Sequence, residues 1–223
     1  MLHRNTMTQG SVSKTRSVRL RTLTSLRWIA IIGQASAVFA ASSIFGLNID
    51  LGLCSVVIGV SVLANVAAAQ IYPPSHRLDD EETFWALLFD VFQLFGLLFL
   101  TGGLHNPFSL LFLAPVTISA TTLSFRYIAL IATVAVALTT LLRFVNVPLT
   151  GPNGDIFSLP SMFIDGLWIS IIVGIIFMSI YAGRVTGEID QMQRDLSATQ
   201  MALTREQKLT DLGGAVAAAA HEL

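Results

Sequence analysis

TGGLHNPF, residues Thr101–Phe108, lies between two apolar runs, each long enough to be a membrane helix. Gly102 and Gly103 suit the left-handed end of one helix, where a side chain would be strained. Asn106 followed by Pro107 suits the start of the next, with Asn as N-cap and Pro at the first helical position. The stretch reads as helix, tight loop, helix, with the loop at a membrane surface. The free N–H groups at the new helix start form the positive end of a dipole. His105, Asn106 and Phe108 stand beside them. A flat, neutral, carbonyl-bearing lipid such as a quinone would find donors and a stacking ring there. A well-capped turn would use the same residues, so residue types alone leave two readings.

The chain has 223 residues, of which 53% are hydrophobic and only 12% charged, and its mean hydropathy is +0.70. A soluble domain carries roughly 25% charged residues, so the class is an all-α polytopic membrane protein. The single cysteine, Cys54, excludes an internal disulfide framework. Its apolar neighbours place it in a membrane helix as a buried structural thiol. No metal site and no nucleic-acid partner is expected.

Residues 1–25 read as a basic, Ser- and Thr-rich cytoplasmic arm. A secretory signal is the competing reading, but the following apolar run is too long for a signal core. Residues 26–181 divide into six spans: Leu26–Leu47, Leu51–Ile71, Thr83–Leu100, Pro107–Leu123, Tyr127–Leu142 and Ser161–Tyr181. Each is near the roughly 17–25 residues a crossing helix needs, the fourth and fifth being the shortest. Gly33, Ala37 and Ala41 form a small-residue stripe that would admit a neighbouring helix. His76–Glu82 reads as a charged loop, Pro115 as a kink, and Asn146–Pro160 as a proline- and glycine-marked loop.

With the amino terminus inside and six spans threaded, every Lys and Arg except Arg143 falls on the inner side. This positive-inside bias puts both termini in the cytoplasm and the TGGLHNPF loop outside. Asp90 and Asp165 lie within spans, where an ionisable group is costly and marks a candidate site. Each also has a structural reading: Asp90 bonded to a neighbouring helix, Asp165 paired with Arg143.

Residues 182–211 are polar and proline-free, with Ile189, Met192, Leu196, Thr199 and Leu203 at three-four spacing. A second run follows a register slip near Glu206. The pattern is a coiled coil with a phase shift, fit either to carry motion inward or to serve as a dimerisation stalk. Residues 212–223 read LGGAVAAAAHEL, placing His221 and Glu222 after an alanine-rich turn.

Two motifs carry a family resemblance. Gly102, Gly103, Asn106, Pro107 and Phe108 match the quinone-binding segment of the redox-responsive RegB/PrrB sensor histidine kinases. Leu212–Gly214 with Ala220–Leu223 resembles their H-box, where a dimeric helix carries the phosphoacceptor histidine. The resemblance implies an inner-membrane sensor of the quinone pool, with Gly102, Gly103, His105, Asn106, Pro107 and Phe108 at the ubiquinone site. It implies a homodimer that autophosphorylates on His221 and passes phosphate to a cytoplasmic response regulator. Glu222 would act as base or hydrogen-bond partner to the ring. ATP and Mg²⁺ would belong to a catalytic part not expected in this chain, which has no GxxxxGK[ST] phosphate loop. The family's redox-active cytoplasmic cysteine lies beyond this end, and Cys54 does not correspond to it. Two other classes remain open: a small transporter or channel subunit lined by Asp90 and Asp165, and a non-catalytic membrane scaffold.

Overall fold

The structure, a computed structural model, describes residues 18–73 and 77–221, with only the backbone described at 18, 19, 190 and 209–221. The arm up to residue 17, His76 and Glu222 lie outside the described residues. The elements run β1 (Val18–Arg19), α1 (Leu20–Ser43), α2 (Leu51–Ile71), β2 (Arg77–Leu78), α3 (Asp80–Leu100), a 3-10 turn (Gly103–His105), a 3-10 helix (Pro107–Phe112), α4 (Leu113–Thr122), α5 (Phe125–Phe144) and α6 (Ser161–His221). The protein is an all-α polytopic membrane protein; its one strand pair among the described residues is the two-residue antiparallel ladder of β1 and β2. The chain divides into two compact units, one through Ile180 and one from Tyr181.

Among the described residues, five helices are long and apolar enough to cross a membrane: α1, α2, α3, α5 and α6. The sixth expected span is shorter and is built differently. Its first six residues are 3-10 helix and its last ten are α-helix. At about 2.0 and about 1.5 Å of rise per residue, these give about 27 Å, close to a hydrocarbon core of about 30 Å. The tighter winding lengthens a segment that would otherwise fall short. The change of winding comes at Phe112–Leu113, before Pro115, so the expected kink at Pro115 is displaced. Pro115 sits in the first turn of α4, where its missing N–H is tolerated.

Three expected boundaries move by three residues or more, while α5 runs two residues longer at each end than the expected span. α1 begins at Leu20, inside the expected arm, and its Thr24 and Ser25 hydroxyls fold back onto the Leu20 and Arg21 carbonyls. It ends at Ser43, not Leu47, and Gly46 at φ 63° turns the chain. α3 begins at Asp80, within the expected charged loop. Asp79 is its N-cap, and the Asp79 N–H donates to the Glu82 carboxylate at 3.0 Å. Asp80, Glu81 and Glu82 occupy the first turn, where acidic side chains complement the helix dipole.

The core of the first unit is an inward stripe on each helix. Leu87, Val91, Leu94 and Leu98 of α3 meet Ile128, Ile131, Ala135 and Leu142 of α5 and Val116 and Ala120 of α4, all buried. The outward faces stay apolar, as at Trp85, Phe92 and Phe177, which is the all-round hydrophobicity of helices in lipid. In the second unit Ile189, Met192, Leu196 and Leu203 are all exposed.

Candidate functional site

The TGGLHNPF loop is held by its own residues. Gly102 and Gly103 take φ values of 96° and 58°, the left-handed region that favours glycine. Leu104 is buried, 1% exposed, and anchors the turn. Asn106 caps the 3-10 helix by accepting from the Phe108 N–H at 2.8 Å. Its amide nitrogen donates to the Thr101 hydroxyl at 2.7 Å and the Thr101 carbonyl at 3.1 Å. The Ser109 N–H donates to the Asn106 carbonyl. Both the Asn106 side chain and the first helix amides, expected to face a ligand, are therefore bonded inside the loop.

His105 is turned to the long loop that follows α5. Its Nδ1 accepts the Leu159 N–H at 3.0 Å. Burial, and then the positive charge of Arg143, hold the imidazole below its ordinary pKa, which keeps Nδ1 unprotonated and able to accept. The loop is further fixed by Val147 N–H to Phe99 carbonyl at 2.9 Å and by Asn48 N–H to Thr150 carbonyl at 2.8 Å. Leu149 lies buried against Gly102.

Beside this loop is a cavity of about 370 Å³ between α1, the end of α3 and the 3-10 helix, within the roughly 300–1,000 Å³ of small-molecule sites. Asn106, Pro107 and Phe108 form one wall, and Leu149 closes a side. The opposite wall is Gly33, Ala37 and Ala41. The small-residue stripe thus borders open space, with nothing within 4 Å of a Cβ placed at Gly33. Phe108 is 48% exposed and presents a ring at the cavity's edge. The wall is almost wholly carbon; its polar members are Gln34, Thr101 and Asn106.

A second cavity of about 330 Å³ shares Gly33, Gln34, Leu94 and Leu111 with the first and reaches Arg27 and Asp90. Arg27 Nη2 donates to Asp90 Oδ2 at 3.1 Å and to the Ala86 carbonyl at 3.1 Å. Nε lies 2.8 Å from Asp90 Oδ1, but its N–H is not aimed at that oxygen, so this contact is ionic. Asp165 is likewise paired: Arg143 Nε donates to its Oδ1 at 2.7 Å. Gln34 and Gln93 bond to each other reciprocally, at 3.3 and 3.0 Å. Residue types alone gave Asp165 its partner but did not give Arg27 to Asp90, and did not single out Gln34, Thr101 or Leu149. An amide in the middle of an apolar span was the available signal for Gln34. The backbone of His221 ends α6.

Fold and site together define a multi-pass, all-α membrane domain with a cavity between its helices. The chain belongs to the family of PilS-like transmembrane domains, which it matches over residues 17–167. It is similar to two sensor histidine kinases named RegB from Cereibacter sphaeroides. One is 49% identical over 205 residues, 92% of this chain and 44% of the relative; the other is 50% identical over 206 residues, 92% and 45%. The resemblance drawn from the two motifs is thereby borne out, and the chain spans less than half the length of these relatives. No solved structure matches.

Proposed function

We propose that this chain is the membrane sensor of a two-component histidine kinase, and that it responds to redox state by binding a quinone in the cavity beside TGGLHNPF. The observation that carries the reading is the carbon-lined cavity bordered by Asn106, Pro107 and Phe108. Quinone heads are flat and neutral, and Phe108 offers a ring to pack against. Ubiquinone is the ligand class, and the bacterial inner membrane the location, with both termini cytoplasmic. The transporter reading had Asp90 and Asp165 lining a path; both are in ion pairs, and that reading gives no reason for the heptad pattern and H-box of residues 189–221.

In the intact protein, a homodimer, neutral His221 would attack the γ-phosphoryl group of ATP in line, with positioning and Mg²⁺ supplying most of the catalysis. Glu222 would hydrogen-bond the ring and draw off charge as the N–P bond forms. Phosphate would then pass to a response regulator.

The test is titration of the purified protein in lipid nanodiscs with a short-chain ubiquinone. Saturable binding is expected, about tenfold weaker in Phe108→Ala from the loss of one aromatic contact, and blocked in Ala37→Leu, which fills the cavity. No saturable binding, or binding indifferent to Ala37→Leu, refutes the reading. Reporter fusions at His76 and Leu104 test the orientation: opposite sides are expected, and the same side for both ends the six-span model.

A further inference from the structure

Hydrogen bonding at the candidate site leaves a question of supply. A quinone oxygen is an acceptor and needs a donor, yet the two polar residues that TGGLHNPF contributes to the cavity wall, Thr101 and Asn106, are already engaged. The Asn106 amide nitrogen donates twice to Thr101. The Thr101 hydroxyl gives its one hydrogen to the Leu97 carbonyl at 2.8 Å. The Phe108 and Ser109 amides are bonded to Asn106. The remaining polar wall residue is Gln34, on α1 opposite the loop.

We propose that Gln34 is the ligand-contacting donor to the quinone carbonyl, and that Gln93 of α3 is the positioning residue that aims it. A primary amide carries two N–H donors. The reciprocal Gln34–Gln93 pair uses one from each side chain. One N–H of Gln34 is left over, with no further bond to it among the described residues. Gln34 is 8% exposed, and it lines both cavities at the wall they share. A spare amide N–H in an apolar surround is costly to leave unmade, so a carbonyl oxygen arriving there meets an unsatisfied partner. Gln93 lines only the second cavity. Its contribution is to hold the Gln34 oxygen through its own N–H, which fixes which edge of the Gln34 amide faces the first cavity. The ring would lie between Gln34 and Phe108, with the bare backbone of Gly33 and the single methyl of Ala37 giving it room.

This assignment rests on the quinone reading above, and the experiment separates the two. Infrared difference spectra are taken on the nanodisc-embedded protein with short-chain ubiquinone carrying a ¹³C-labelled carbonyl. In the unaltered protein the labelled C=O band is expected below its position in an apolar solvent, the mark of a hydrogen bond. In Gln34→Leu and Gln34→Met the band is expected to return, with binding about five- to tenfold weaker, one neutral hydrogen bond's worth. Gln93→Leu should broaden the band and weaken binding less, since it frees the Gln34 amide to rotate, and Gln93→Asn should partly restore it. A labelled band at the apolar-solvent position in the unaltered protein, with quinone bound, overturns the assignment and needs no variant that must fold. So does an unchanged band and affinity in both Gln34 variants, while binding still fails in Ala37→Leu; the cavity reading then survives alone. Absence of quinone binding to the unaltered protein overturns both.

Discussion

Gly103→Ala tests whether the TGGLHNPF loop is a rigid wall. At φ 58° the residue sits where a side chain is strained, at a cost of about 1–2 kcal/mol. A Cβ there would lie 2.8 Å from the Leu142 carbonyl oxygen, 2.8 Å from Asn146 Cβ and 2.9 Å from Asn146 Cγ. The carbonyl belongs to the last turn of α5, and Asn146 donates to that same carbonyl at 3.2 Å, so neither neighbour yields alone. Overpacking of this kind adds about 1–3 kcal/mol. The expected loss is therefore about 2–5 kcal/mol, a large part of a stability of about 5–15 kcal/mol. Two companions dissect it. Gly154→Ala has φ 83° with nothing within 4 Å, so it carries the backbone cost alone. Gly102→Ala meets Leu149 Cδ1 and Cγ at 2.8 Å, and the end of a leucine can turn aside, so it should fall between. Unfolding of the purified proteins in detergent, followed by far-ultraviolet circular dichroism, gives the order. If Gly103→Ala is no worse than Gly154→Ala, the close packing of the loop on α5 is wrong.

Asp90→Leu leaves Arg27 without its counter-ion between two helices, and should cost about 3 kcal/mol by the same unfolding measurement. The double variant Arg27→Leu/Asp90→Leu should recover most of that, and a double variant as unstable as the single would show the pair is not what matters. His105 gives a pH dependence whose sign is fixed by its lowered pKa. Below its ordinary value of about 6.5 the unfolded chain takes a proton that the folded ring resists, so stability falls with pH from there down to the folded-state value. Protonation also removes the acceptor for the Leu159 N–H. The hydrogen-exchange protection factor of Leu159 should therefore drop between pH 7.5 and 5, and a drop of equal size in His105→Gln would refute the assignment. Cys54 is fully buried, so maleimide should label it only after unfolding, and Cys54→Ala should leave ubiquinone binding unchanged; rapid labelling of the folded protein would contradict its placement.

Some of this was legible in the residues and some was not. α2 has the expected bounds because both ends carry local chemistry. Asp50 accepts from the Leu53 N–H at 2.9 Å, and the chain turns extended at Tyr72 before Pro73. The starts of α1 and α3 were missed for one reason. Polar side chains read as loop, yet the Thr24 and Ser25 hydroxyls turn back onto carbonyls of their own helix and the Glu82 carboxylate takes up the N-cap Asp79 N–H. The start at Pro107 was readable from its ring, but the 3-10 winding after it, where the segment packs against α3, was not. Arg143 and Asp165 are close in depth on consecutive spans, which made their pairing visible. Arg27 and Asp90 are 63 positions apart, and no periodicity joins them. The cavities were invisible because a pattern of small residues predicts close approach and cannot show that no helix arrives.

Asparagine at position 106 illustrates how a motif's polarity can mislead about its role. Read from residue type, Asn106 is a ready donor at a helix start. In the fold its carbonyl oxygen is the cap for the Phe108 amide and its nitrogen closes the turn on Thr101. Those three bonds connect the end of α3 to the start of the 3-10 helix across the two left-handed glycines. The polar groups of Thr101 and Asn106 are thus spent within the fold, and what the segment offers the cavity is a shaped, mostly apolar wall ending in Phe108. Shape from the loop and a donor from the helix opposite are separable contributions. An alanine at 106 removes the wall's tie as well as a polar group, and so reports on the loop before it reports on any ligand. Gln34, held by Gln93 on a regular helix, can change its hydrogen bonding without undoing that loop, and a donor on a packed helix is aimed more steadily than one on a turn.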